Sequence, residues 1–334
     1  MKIISNFKCL ILIFMLSVFC GSLKSQQNIQ FTQYIFNSIA VNPAYAGNKE
    51  EWYVQTSHRM QWMGMDGAPT TFQISADGLM NNQNGNVGLG FQVTSDNLGP
   101  QSATSFYANY AYRIRLDEAD TRRLSFGLAA GITQYAIDGS ILKPNNTADP
   151  VASAMAAEFL PNVRAGLYYT SPKWYVGLST LDLLSGADYQ NFWIKDTVVN
   201  IVRRSHYYFQ TGGFFNLNEF TRLRPGILWK EDFHGPSVID LNAMFIFGKN
   251  FWLGASYRTG IYLWEKQYRE NQTLSDFNAV AGIVQFVWDD QYRIGYSYDY
   301  MLNGLMPYQR GTHEITLGYL LRKKSKRILS PRFF

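Results

Sequence analysis

Residues 291–300 read QYRIGYSYDY and alternate without a break. Tyr292, Ile294, Tyr296, Tyr298 and Tyr300 fall on one side, and Arg293, Gly295, Ser297 and Asp299 on the other. A period of two is the mark of a strand whose two faces meet different surroundings. The run NFWLGASYR sets Phe251, Leu253, Ala255 and Tyr257 against Trp252, Gly254, Ser256 and Arg258. SFYANYAYRIR sets Phe106, Ala108, Tyr110, Tyr112 and Ile114 against Tyr107, Asn109, Ala111, Arg113 and Arg115. Fourteen such segments follow one another, near 51–60, 71–78, 87–95, 103–115, 122–137, 161–170, 173–181, 206–216, 221–230, 236–247, 250–260, 275–288, 291–302 and 311–322. Each approaches the roughly 9–11 residues that a tilted membrane-spanning strand needs.

The connections carry a second pattern. Those after even-numbered segments are short: MNNQNGN, DEAD, SPK, NLNEF, GKN and DDQ. Those after odd-numbered segments are generally longer, as in 138–160, 182–205 and 261–274. Bacterial outer-membrane barrels sort their loops in this way, with short periplasmic turns, long extracellular loops and an even strand number. The expectation is an all-β transmembrane antiparallel barrel of about fourteen strands, with both ends on the short-turn side. Beyond the first 25 residues no apolar run is long enough for a spanning helix. Only a closed sheet then satisfies the backbone in lipid. Trp52, Tyr53, Trp174, Tyr175, Trp252, Trp288 and Tyr292, near strand ends, are expected in the interfacial girdles.

Composition agrees. Charged residues are 16% and aromatics 16% of the 334, against about 25% charged in a soluble domain. The opening MKIISNFKCLILIFMLSVFCGSLKSQQ has a basic start at Lys2 and Lys8, a short apolar core and small residues after it. Residues 1–25 are therefore expected to be a signal peptide, too short to anchor. Both cysteines, Cys9 and Cys20, lie in it, so a processed chain has no disulfide or thiolate site. The formal net charge is +5, but it comes from the two ends. Between residue 26 and the basic run beginning at Arg322 the chain is net negative, which excludes a nucleic-acid surface.

Residues 26–50 precede the first strand and read as a periplasmic leader or plug. In QFTQYIFNSIAVNPAYAG, the polar Gln30, Gln33, Asn37 and Asn42 suit lumen groups. Asn42-Pro43 turns the chain, and the aromatics Phe31, Tyr34, Phe36 and Tyr45 argue against free solvation. The barrel follows over 51–322, and 323–334 form a basic periplasmic tail.

The same segment carries a resemblance. Gln30-Phe31-Thr32-Gln33-Tyr34-Ile35-Phe36-Asn37 and Asn42-Pro43-Ala44-Tyr45-Ala46-Gly47 resemble the start of the PorP/SprF family, outer-membrane proteins of the type IX secretion system. Arg59-Met60-Gln61-Trp62 followed by Gly67-Ala68-Pro69 is similar to the next family element, and Val87-Gly88-Leu89-Gly90 to its third strand. His313-Glu314-Ile315, Leu317-Gly318-Tyr319 and the ending Ser330-Pro331-Arg332-Phe333-Phe334 are similar to its last strand and terminus. Ile35 stands where the family more often has Met. The resemblance implies a non-enzymatic role in secretion or display of surface proteins in Bacteroidota, such as gliding adhesins. The implied partners are a cargo bound through its C-terminal sorting domain and other secretion components in the periplasm and outer membrane. Outer-membrane lipid would surround the barrel.

Chemistry is otherwise sparse. His58, His206, His234 and His313 lack metal-ligand spacing to one another. Asp289-Asp290 and Glu231-Asp232 sit in connections and read as turn charges. No nucleophile elbow or phosphate-cradling loop occurs, and no cofactor is expected. A barrel hydrolase would draw Ser and His from different strands, and Ser297 and His313 sit on adjacent ones, but such pairs arise by chance. Trp62, Met63, Met65 and Pro69 make an apolar extracellular turn. A porin-like channel for small solutes is the alternative function.

Overall fold

The computed structural model describes residues 29–80, 85–141, 155–186, 190, 203–261, 263 and 278–322. The expected signal peptide, the segment around residue 145 and the tail with Pro331, Arg332, Phe333 and Phe334 lie outside them.

Fourteen strands form one closed antiparallel barrel. In chain order they are β1 (Trp52–Met60), β2 (Thr70–Leu79), β3 (Val87–Leu98), β4 (Gln101–Arg115), β5 (Arg123–Asp138), β6 (Met155–Thr170) and β7 (Trp174–Leu181). Then come β8 (His206–Gly213, resuming at Phe215–Asn216), β9 (Thr221–Glu231), β10 (Ser237–Phe247), β11 (Phe251–Ile261), β12 (Ala279–Trp288), β13 (Tyr292–Met301) and β14 (Thr312–Leu321). Each strand pairs with its sequence neighbours, and β14 returns to β1 from Trp52↔Leu321 to Met60↔His313. Closure leaves no exposed edge. Among the described residues no helix is long and apolar enough to cross a membrane.

Alternation turns the barrel inside out relative to a soluble protein. On β2, Phe72 and Ile74 face outward and exposed, while Thr71, Gln73, Ser75 and Asp77 are buried in the lumen. On β13, Tyr292, Ile294, Tyr296 and Tyr300 face out, and Ser297 and Asp299 face in. An apolar exterior and polar interior are what lipid demands.

Two prolines explain departures from the expected boundaries. β6 begins at Met155, six residues before 161, yet β7 pairs with it only from Ala165 onward. Pro161 therefore lies beyond the β7 ladder, and its missing N–H breaks no bond of that ladder. The ladder of β8 with β9 breaks between Gly226↔Gly212 and Leu223↔Phe215. Pro225 lies in that gap on β9 and has no N–H to offer Gly213–Phe214.

One end of the barrel carries the short connections 116–122, 171–173, 217–220, 248–250 and 289–291, together with the start of β1 and the end of β14. The other carries 61–69, 182–205 and 302–311, and also the tight turn at Gly99-Pro100. Asp289 and Asp290 both adopt positive φ, 51° and 52°, so that carboxylate pair belongs to a hairpin turn.

The girdle expectation needs a correction. Trp174, Trp288 and Tyr292 are exposed, but Tyr53, Tyr175 and Trp252 are buried inside. Adjacent strand residues point to opposite faces, so Tyr53 follows Trp52 inward, Tyr175 follows Trp174, and Trp252 follows Phe251.

Candidate functional site

Inside the barrel lies the segment 29–51. It folds as three short 3-10 turns, Tyr34–Phe36, Ser38–Ala40 and Pro43–Tyr45. Their bonds are local, such as Asn37 N–H to Tyr34 O at 3.0 Å and Tyr45 N–H to Asn42 O at 3.1 Å. Asn42 caps the last turn, its Oδ1 accepting from Ala44 N–H at 2.9 Å, with Pro43 in the first position. A segment that alternates such turns matches neither helical nor strand periodicity, because each side chain meets a different strand.

The wall of β13, β14, β1 and β2 holds the leader by polar contacts. Glu314 accepts the backbone N–H groups of Thr32 at 2.8 Å and Gln33 at 3.0 Å. The Gln33 amide donates to Glu314 O at 3.0 Å and accepts from Thr316 Oγ1 at 2.9 Å. Thr32 Oγ1 donates to Asp299 at 2.6 Å. Arg59 bridges the set, with Nη atoms 2.9 Å from Glu314, 2.8 Å from Asp299 and 2.8 Å from Thr32 Oγ1. Arg59, Asp299 and Glu314 are each at most 2% exposed. Further along, Asn37 donates to Gln73 at 2.8 Å and Gly47 N–H to Asp77 at 3.0 Å.

The neighbouring wall, β9 to β12, offers the leader mainly apolar side chains, with bonds from Arg224 to Ile35 O and from Asn242 to Tyr34 Oη. Phe31, Tyr34, Ile35 and Phe36 pack on Leu228, Met244, Ile246, Trp252 and Ile283, with Phe36 edge-on to Trp252 at 5.6 Å. Tyr45 meets Tyr168 edge-on at 5.4 Å. Lys49 Nζ lies 3.2 Å over the Tyr53 ring.

Glycines make the room. A Cβ on Gly88 would sit 2.0 Å from Ala46 O, on Gly127 2.1 Å from Ala44 N, on Gly166 2.1 Å from Asn42 Oδ1, and on Gly295 2.4 Å from Gln33 Oε1. Wall and leader are cast against each other.

Of the motif residues, Phe31, Thr32, Gln33, Tyr34, Asn37, Asn42, Pro43, Ala44, Tyr45 and Gly47 are buried in this seat, Gln30 is half-buried, and Arg59 joins them from β1. Gln61, Trp62 and Pro69 do not join. They belong to the long-loop end, where Gln61 N–H donates to Pro69 O at 2.9 Å and Trp62 N–H to Thr312 Oγ1 at 3.2 Å. Trp252 was expected in the girdle, and Asp299, Asp77, Arg224, Gly127 and Gly166 had no role in the sequence-based expectation. Their signal was present: isolated charges and glycines at lumen-facing positions of otherwise apolar strands. Ser297 and His313 do not meet. Ser297 faces the lumen, while His313 lies outside against Tyr296 and Tyr298, with its Nδ1 2.7 Å from Tyr296 Oη.

The family model of the type IX secretion system membrane protein PorP/SprF matches residues 23–319. The chain belongs to the PorP/SprF family. Like that family, it is an integral outer-membrane barrel, a secretion-system fold and not an enzyme class. No curated protein matches it. Solved structures similar to this PorP/SprF barrel include the Acinetobacter baumannii outer membrane protein Omp33, at 8% identity and TM-score 0.45, covering 82% of this chain and 100% of that one. A Pseudomonas aeruginosa FadL homologue aligns at 9% identity and TM-score 0.45, covering 83% and 92%. The TodX deltaS2S3 mutant monoaromatic hydrocarbon channel aligns at 9% and 0.48, covering 84% and 92%.

Proposed function

We propose that this barrel helps deliver or anchor a secreted surface protein, binding the C-terminal sorting domain of its cargo at the long-loop end. Family membership supports the secretion role. The observation that carries the reading is the leader bonded through the lumen, from Arg59, Asp299 and Glu314 to Gly88 and Asp77. A lumen filled in this way does not suit a solute channel, and it leaves the two ends and the lipid face as working surfaces.

The long-loop end has a framework for contact. Loops 61–69 and 302–311 are tied together by Met63 N–H to Gly311 O at 2.9 Å and Arg310 N–H to Met63 O at 2.7 Å. Gly99 N–H donates to Gly67 O at 3.0 Å. On this ledge Met63, Leu98, Leu302, Met306 and Tyr308 are exposed. Methionines on such a surface adapt to varied partners, and exposed apolar side chains on a rigid frame favour association. Short turns are periplasmic in bacterial barrels, so the leader's floor faces the periplasmic secretion components. No catalytic step is part of this role.

The test is purification from native membranes with a tag in the loop near residue 145, followed by mass spectrometry. Recovery of a large secreted protein with a C-terminal sorting domain, or of periplasmic secretion components, supports the proposal. Recovery of the barrel alone, with single-channel conductance in planar bilayers, would move the assignment to a porin. Deleting 30–47 is expected to impair cargo delivery while membrane insertion persists.

A further inference from the structure

From Phe36 back to Thr32 the leader's contacts climb the barrel. Lys49 lies over Tyr53 near the start of β1, at the short-turn end. Phe36 packs on Trp252, near the short-turn end of β11. Ile35 O accepts from Arg224 Nη1 at 3.1 Å, still in the short-turn half of β9. Tyr34 Oη accepts from Asn242 at mid-strand in β10, at 2.5 Å. Gln33 reaches Thr316, and Thr32 reaches Asp299 and Arg59, close to the long-loop ends of β13 and β1. Every step back from Phe36 to Thr32 rises toward the long loops. Burial then relaxes, and Ile29 and Gln30 are half-buried. Ile29 packs against the cluster that holds Phe31, Tyr34 and Ile35.

We infer that the leader is threaded with its amino-terminal end outermost, so that Ile29 and Gln30 open on the cell exterior while β14 ends on the periplasmic side. The lumenal passage adds one crossing to fourteen strands, so Ile29 and the end of β14 at Leu321 lie on opposite faces. The outer end of the leader emerges beside the ledge of 61–69 and 302–311, which hangs from the same strand ends through Trp62 N–H to Thr312 Oγ1. A polypeptide held on that ledge meets the leader as well. The inference does not depend on what the barrel delivers.

Cys9 and Cys20, the chain's two cysteines, lie upstream of the leader, so single-cysteine labelling tests the threading. Ile29→Cys, Pro307→Cys in a long loop and Asp289→Cys in a short turn are exposed to a membrane-impermeant maleimide on intact cells and after permeabilisation. The expected result is labelling of Ile29→Cys and Pro307→Cys on intact cells, with Asp289→Cys labelled after permeabilisation only. Ile29→Cys behaving like Asp289→Cys overturns the inference, as does labelling of Asp289→Cys in place of Pro307→Cys on intact cells. Should Ile29→Cys stay unlabelled in both conditions, an epitope inserted between Gln27 and Asn28 decides. Antibody binding on intact cells supports the threading, and its absence there, with a matching epitope after Pro307 detected, overturns it.

Discussion

The two walls that grip the leader do so by different physics. On the side of β13, β14 and β1, one guanidinium sits between two carboxylates, and two backbone N–H groups fill the remaining acceptor sites of Glu314. On the side of β9 to β12 the grip is mostly side-chain packing around Phe36 and Trp252, joined by one bond each from Arg224 and Asn242. Apolar contact tolerates sliding by a fraction of a turn, whereas a shift of Thr32 leaves buried charges unpaired. The charged wall therefore dominates where the leader sits, and the more apolar wall adds packing with two neutral-acceptor bonds, to Ile35 O and Tyr34 Oη.

The largest effect that would break this contrast comes from Arg59→Ala. It leaves Asp299 and Glu314 buried together without their cation, and removing one partner of a buried pair costs about 3–5 kcal/mol. Urea titration of the barrel in lipid vesicles, followed by tryptophan fluorescence, measures the loss. Arg59→Met with Asp299→Asn and Glu314→Gln is expected to recover part of it, because the two carboxylates no longer face each other, while Lys230 and Arg258 keep Asp240 as their partner. A single-mutant loss below 1 kcal/mol would mean water reaches the triad and the polar wall sets no register.

Next comes Gly88→Val, which attacks the close approach itself. Its Cβ would lie 2.0 Å from the Ala46 carbonyl oxygen, which is backbone and has no alternative rotamer. Overpacking of this kind costs about 1–3 kcal/mol. The expected sign is protease sensitivity of the leader and new conductance in planar bilayers. Gly282→Ala is the control, since nothing lies within 4 Å of its Cβ position. Leader protection unchanged in Gly88→Val would show that the wall yields instead.

How much of this was legible in the sequence follows from what is local. Strand number, loop sorting and the outward faces of β11 and β13 come from period-two alternation, and each needs only a dozen residues to be seen. The buried status of Tyr53, Tyr175 and Trp252 was legible too, through the same alternation, but residence near a strand end suggested the girdle. Glu314 stood in a quoted motif without a role, because its partners Thr32 and Arg59 are 282 and 255 residues away. Which residues meet across a lumen depends on barrel stagger and on the path of the leader, and no short window encodes either. Pro161 reads as the start of a strand because its tolerance depends on where β7 ends.

On the apolar wall the contrast predicts smaller, graded losses. Ile35→Val removes one buried methylene from a side chain 3% exposed and is expected to cost about 0.5–1.5 kcal/mol. The leader should remain protected from protease, because its polar anchors are untouched. Protease sensitivity in Ile35→Val comparable with Gly88→Val would shift the register-setting role to packing.

The smallest effect isolates burial as the cause of the largest. Arg322 and Asp290 form an ion pair at 3.1 Å, close to the 2.8 Å of Arg59 and Asp299. Their side chains are 42% and 48% exposed, against 2% and 3% in the lumen. The chemistry is the same and the separation similar, so any difference in energy measures solvent. Exposed pairs contribute about 0–1 kcal/mol, and Asp290→Asn should fall in that range and shrink further as salt is added. Arg59→Ala should respond little to salt, because ions do not screen a pair that water does not reach. Equal salt dependence at the two sites would place the triad in contact with solvent, and the lumen would then be wet where the leader is most tightly bonded.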